Sequence, residues 1–83
     1  MNNRTQAQLA AIRAITVLRG PSQAAVTLDV PGHRYQTVQS WLRNRVPAEY
    51  CPLIERATRA AGQVVRCEEM RPDVAWQVLR EAA

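Results

Sequence analysis

Apolar residues recur along the chain at helical spacing, and Gly and Pro break the recurrence into short runs. Leu9, Ile12, Ile15 and Leu18 form one stripe, which predicts a helix from about Arg4 to Arg19. Asn3 and Gln6 stand where the two members of a capping box belong, and Gly20-Pro21 is a stop. Ser22 reads as the N-cap of a short second helix over Gln23 to Leu28, with Ala25, Val26 and Leu28 available to a core. The run Asp29-Val30-Pro31-Gly32-His33 is a turn by composition. A third helix takes Arg34 to about Asn44, with Val38, Trp41 and Leu42 on its inward side.

Pro47 suits a first helical turn, but Pro52 follows closely. Either Pro47 to Tyr50 is one isolated turn ahead of a helix starting at Pro52, or Pro52 lies inside the first turn. Leu53, Ile54, Ala57 and Ala61 are the core candidates there, and Gly62 closes the element. Gln63 to Arg66 is extended or irregular, and Glu68 to Met70 forms one turn. Pro72 and Asp73 open a last helix carrying Val74, Trp76 and Leu79, with Asp73 near its positive end.

Two short helices joined by a turn, the second polar on its outside, is the layout of a helix-turn-helix. The outer positions of the third helix are Tyr35, Gln36, Gln39, Ser40 and Arg43, with no acid among them. A glutamine amide donates and accepts in one bidentate contact to adenine, and Arg does the corresponding work for guanine. Arg34, Tyr35, Gln36, Gln39, Ser40 and Arg43 are therefore the expected base readers. Ser22, Gln23, His33, Thr37 and Arg45 are the expected phosphate contacts. Two registers fit the turn. With Ala25 as the small residue of the first helix, Asp29 takes the usual glycine position and the turn, through Pro31-Gly32-His33, runs about three residues longer than usual. With Leu28 there instead, Gly32 is the turn glycine. The longer turn is the preferred reading.

Charge sharpens this picture. Residues 1 to 48 hold six arginines against one acid, Asp29, whereas residues 49 to 83 hold five arginines against six acids. Positive charge gathered in one half points to a polyanionic partner, double-stranded DNA. At 83 residues there is room for one core, so 1–83 reads as a single helix-turn-helix domain. Its motif lies at about 22–45 and its supporting helices over 47–83. A chain this short favours oligomerisation, and a homodimer is expected. No apolar run reaches the roughly 18 residues of a membrane span. The N-terminus lacks a signal-peptide core, which predicts a cytoplasmic, nucleoid-associated protein. Cys51, Cys67 and the one histidine are too few for a zinc site, so no metal or cofactor is expected and the thiols read as buried and reduced. No catalytic arrangement is evident, and the protein is not read as an enzyme. Glu55 and Arg59 read as a solvated i, i+4 ion pair, and Trp41 and Trp76 as core.

The segment VQSWLRNRVPAEYCPLIERAT, followed by MRPDVAW, resembles the YdaS-type antitoxin family of Cro-like prophage repressors. Val38, Trp41, Pro47, Ala48, Glu49, Cys51, Pro52, Ile54, Glu55, Ala57, Thr58, Arg71, Pro72 and Asp73 carry the likeness. Met70 and Arg66-Cys67 depart from it. The resemblance implies an all-α, lambda-repressor-like domain of about five short helices that binds operator DNA, often as a dimer. It implies that the CPLIERAT residues are structural. A protein-interaction module, an antitoxin or antirepressor with a protein toxin as partner, is the alternative. Its signature would be an exposed apolar patch around Val74 to Leu79.

Overall fold

The computed structural model describes residues 5–82. Helix α1 (Gln6–Val17) is opened by Thr5: its Oγ1 accepts the Gln8 N–H at 3.1 Å while Gln8 Oε1 accepts the Thr5 N–H at 2.9 Å. The capping box thus lies two residues later than the expected Asn3–Gln6 pair, and Asn3 and Arg4 fall outside the described residues. The buried side of α1 is Ala10, Ala11, Ala14, Ile15 and Leu18, whereas Leu9 is exposed and Ile12 half-buried. Small residues carry this face because α3 and α5 both pack against it.

Two consecutive helix ends are built alike. At the end of α1 the Gly20 N–H reaches Ile15 O at 2.9 Å and the Arg19 N–H reaches Thr16 O at 3.0 Å. Arg19 takes the left-handed conformation this closure needs, at φ 71°. Gly20 then serves as N-cap of α2 (Pro21–Thr27), so Ser22 is the second helical residue and not the cap. Proline supplies no N–H and fits the first helical position, which moves the start ahead of the serine. Ala24, Ala25 and Leu28 are buried, while Val26 faces solvent at 51% exposure, contrary to its expected core place.

At the end of α2 the Val30 N–H reaches Ala25 O at 2.9 Å and Asp29 adopts φ 53°. Asp29 therefore occupies the glycine position of the turn, four residues after Ala25. Buried Val30 and a 3₁₀ turn, Pro31–His33, follow before α3 (Tyr35–Arg43) begins. The connection is the longer of the two registers read from the sequence. Arg34 is the N-cap of α3 rather than its first residue.

A 3₁₀ turn (Ala48–Tyr50) precedes α4 (Cys51–Ala60), and Pro52 sits in the first turn of α4, so both arrangements weighed for this proline are present together. Ile54 is buried, Leu53 and Ala57 are half-buried, and Ala61 is exposed. Gly62, at φ 90°, ends the helix as expected. Helices α5 (Cys67–Met70) and α6 (Trp76–Ala82) complete the described chain. Pro72 and Asp73 precede α6 instead of opening it, in a turn closed by the Val74 N–H on Arg71 O at 3.2 Å. The arrangement is an all-α helix-turn-helix fold of six α-helices among the described residues, one more than expected, because the turn at Glu68 is a full α-turn of its own.

Candidate nucleic-acid interface

Helix α3 is fixed from beneath by Val38 and Trp41, both buried, with the Trp41 ring 4.8 Å from that of Tyr50. Helical periodicity then places Gln36, Gln39 and Arg43, at i, i+3 and i+7, on one outward face, and all three are exposed. Arg34 and Tyr35 stand exposed at the start of the helix. Ser40 is less available than the sequence suggested. It is half-buried, and its hydroxyl donates to the Thr37 carbonyl at 2.6 Å. Thr37 is also half-buried, on the opposite side from Gln39.

Ser22 and Gln23 are exposed in the first turn of α2, ahead of the first helical bond there, Ala24 N–H to Gly20 O. Their own N–H groups thus have no helical acceptor. His33 Nε2 lies 3.3 Å from Asp29 Oδ1, so the turn histidine is paired within the turn. Gly32 holds φ 70°, and a Cβ there would meet Arg34 Cγ at 3.4 Å. Arg45 is 70% exposed and only distantly paired, 3.5 Å from Asp73.

Charge is compensated unevenly. Arg13 pairs with Glu69, Arg59 and Arg80 with Glu55, Arg80 also with Glu68, and Arg71 with Asp73. Arg34 and Arg43 have no carboxylate partner among the described residues, and neither have Arg19, Arg56 and Arg66. None of the carboxylates paired in the C-terminal half reaches Arg34 or Arg43, which leaves the α3 face positive.

Most of the residues that carried the family likeness tie α4 to the segments around it. Cys51 is buried, with its thiol 3.7 Å from Pro47 O, and Ile54 is fully buried. Thr58 Oγ1 donates to Ile54 O at 2.9 Å and accepts the Val65 N–H at 2.9 Å, tying the following loop to α4. Glu55 does more than the expected pairing with Arg59. Its carboxylate also takes the Cys67 N–H at 2.9 Å and Arg80 at 3.2 Å. Burial pushes the Glu55 carboxyl up, but these donors outweigh it and hold it below its ordinary value. Arg71 grips Asp73 through two nitrogens, at 3.0 and 2.8 Å, and donates to Val46 O at 3.0 Å. Trp76 is buried, and its indole N–H donates to Arg71 O at 2.8 Å.

Two positioning contacts were missed from sequence. Gln8 Nε2 donates to Arg43 O at 3.3 Å, and the Arg71 bond to Val46 O braces the exit of α3. The Arg-Pro-Asp run signalled the second, while nothing local signalled the first. Burial pushes the Cys51 thiol up to about 11 and the Cys67 thiol, which also faces Glu55, up to about 12. Both therefore stay protonated and unreactive near neutral pH. Among the described residues no cluster of His, Cys, Asp or Glu could hold a metal, and no helix is long and apolar enough to cross a membrane.

Residues 11–79 match the family model described as "Bacterial toxin YdaS". The chain is 44% identical over 73 residues to a protein of Escherichia coli (strain K12) named "Putative transcriptional regulator YdaS", covering 86% of this chain and 68% of that protein. No solved structure matches the chain. The family description says toxin where the motif resemblance had suggested an antitoxin. A match over this much of the chain, together with the identity to that relative, shows that the protein belongs to the YdaS family.

Proposed function

We propose that the protein is a sequence-specific DNA-binding transcriptional regulator, a Cro-like prophage repressor that lays α3 in the major groove of its operator as a homodimer. The exposed, acid-free face of Gln36, Gln39 and Arg43 carries this reading. These side chains suit bidentate contacts to adenine and guanine edges, while a carboxylate there would be repelled by flanking phosphates. Arg34 and Tyr35 enter the groove first, and Ser40 serves at the edge of the face. Ser22, Gln23, His33, Thr37 and Arg45 take phosphates and fix the register. A twofold dimer would set two reading helices about 34 Å apart on a near-palindromic site. The name of the K12 relative supports the regulatory part of the reading.

Selection of binding sites from random duplex DNA tests the proposal, with the winner measured again at two salt concentrations. The expected result is an enriched palindrome bound about a thousandfold better than scrambled sequence. Salt-sensitive binding without enrichment would overturn it.

One observation favours a second reading, a module that binds a protein partner such as a toxin. Val78 and Leu79 on α6 are 62% and 55% exposed, although Val74 and Trp76 of the same stretch turn inward. Partner capture that survives Val78→Asp and Leu79→Asp would remove this patch as the partner's seat.

A further inference from the structure

A groove runs between the end of α2 and α4, with Leu53, Ala57 and Ala60 along it and Asp29, Glu49 and Arg56 at its edges. Leu53, Arg56, Ala57 and Ala60 recur at i, i+3, i+4 and i+7, so they share the face of α4 that its core residue Ile54 does not occupy. Two opposite charges at this face, on Glu49 and Arg56, are left uncompensated among the described residues, although Glu55, Glu68, Glu69 and Asp73 are all paired.

We propose that this groove is the contact between two copies of the chain, with their α4 helices antiparallel about a twofold axis near Leu53. The proposal supplies the dimer interface of the DNA-binding reading and rests on it for its purpose. The charge pattern selects a second copy as occupant. Glu49, in the 3₁₀ turn that leads into α4, lies four residues before Leu53, and Arg56, within α4, lies three after it. A twofold axis there brings Glu49 of each copy opposite Arg56 of the other, making two reciprocal opposite-charge pairs around an apolar centre. An isologous interface requires this self-complementarity. Ala57 and Ala60 add no bulk, so the helices can approach to an ordinary packing distance of about 8–10 Å. Asp29 and Leu28 on the α2 side place the contact next to the turn leading into α3, so pairing here also sets the separation of the two reading helices.

Sedimentation velocity over a concentration series, without DNA, tests the interface. Wild type should dimerise, and Glu49→Arg and Arg56→Glu should each weaken dimerisation by about tenfold or more. The double variant, with the charges exchanged, should recover to within about threefold of wild type. Circular dichroism melts of each variant separate loss of pairing from loss of fold. Leu79→Glu, on α6, should leave the dimer intact. A wild type that stays monomeric, folded single variants that dimerise normally, a double variant that fails to recover, or dissociation by Leu79→Glu alone would each overturn the proposal. The two readings fail separately. A monomer that still selects a defined DNA sequence leaves the reading face standing, and a charge-dependent dimer without sequence enrichment leaves only the interface.

Discussion

Glu55 in α4 accepts the backbone N–H of Cys67 at 2.9 Å, so a carboxylate twelve residues upstream caps the first turn of α5. The same side chain is only 14% exposed and also holds Arg59 and Arg80. Removing it should cost more than a surface ion pair, because the Cys67 N–H then loses its acceptor in a part-buried place. Glu55→Ala is expected to destabilise by about 2 kcal/mol, between a lost cap and an unpaired buried donor. Glu55→Gln keeps an acceptor and should lose roughly half as much. Urea denaturation measures both, and a change in Glu55→Ala no larger than that of the exposed Glu81→Ala would contradict this account.

Acid should weaken the fold through the same region. The Arg80 guanidinium bonded to Glu68 draws its carboxyl down from 4.5 to about 2, and Arg71 draws Asp73 from 3.8 to about 2. Glu69 is also held below its ordinary value, by the Arg66 N–H first and despite some burial. A carboxylate whose value is depressed on folding stabilises the protein above its unfolded value and loses that contribution as pH falls through the folded one. Tm should therefore stay level from neutral pH to about 5 and fall between about 4.5 and 2. Glu68→Gln and Asp73→Asn should each flatten the decline in melts recorded against pH. Added salt should shrink both effects, since these pairs are exposed. A Tm unchanged down to the acid end would exclude the assignment.

Thr58 is fully buried, and its hydroxyl is the partner of the Val65 N–H. Thr58→Val keeps the shape but strands that donor, at an expected cost of about 1–3 kcal/mol. Thr58→Ser keeps the bond and loses only a methyl group, about 1 kcal/mol. Equal midpoints for the two variants in chemical denaturation would show that the hydroxyl contributes nothing.

The helix-turn-helix, the inward stripe of α3 and the stop at Gly62 were legible because each depends on residues close in sequence. Core membership in the first two helices was legible in part, with Ile15, Leu18, Ala25 and Leu28 buried as expected. Leu9 and Val26 are large and apolar yet face solvent, while Ala10, Ala14 and Ala24 are buried, because the close approach of neighbouring helices chooses small residues and periodicity cannot sense that approach. The start of α6 was misplaced for a related reason. Asp73 looks like a first-turn acid, but Arg71 and Arg45 hold it outside the helix. The exposed Gln36, Gln39 and Arg43 could be placed from spacing alone, whereas spacing did not show that the Ser40 hydroxyl is taken up by Thr37 O.

Side chains on α3 and just beyond its end should separate into two kinds by their effect on DNA. Gln36→Ala and Gln39→Ala are each expected to cost about 1–3 kcal/mol on the selected site and to relax one base position. Arg45→Ala should instead weaken all sequences alike and lower the salt slope by about one. Titrations of wild type and variants against matched and single-mismatch duplexes resolve the two patterns. Unchanged specificity in both glutamine variants would remove α3's outer face from the reading role.

Arg19 offers a stabilising substitution. It adopts φ 71° in the position where helix ends favour glycine, while the glycine of the sequence stands one residue later, at Gly20. A side chain in the left-handed region costs roughly 1–2 kcal/mol relative to glycine. Glycine returns part of that gain through the greater freedom of the unfolded chain. Arg19 is exposed and has no carboxylate partner among the described residues, so little else is lost. Arg19→Gly should raise stability by about 0.5–1 kcal/mol, seen as a higher urea midpoint at unchanged slope. Gly20→Ala should do the reverse, since Gly20 holds φ 97° with nothing within 4 Å of a would-be Cβ, leaving backbone strain as its whole penalty. A fall in midpoint for Arg19→Gly would mean that the arginine makes a stabilising contact larger than its strain.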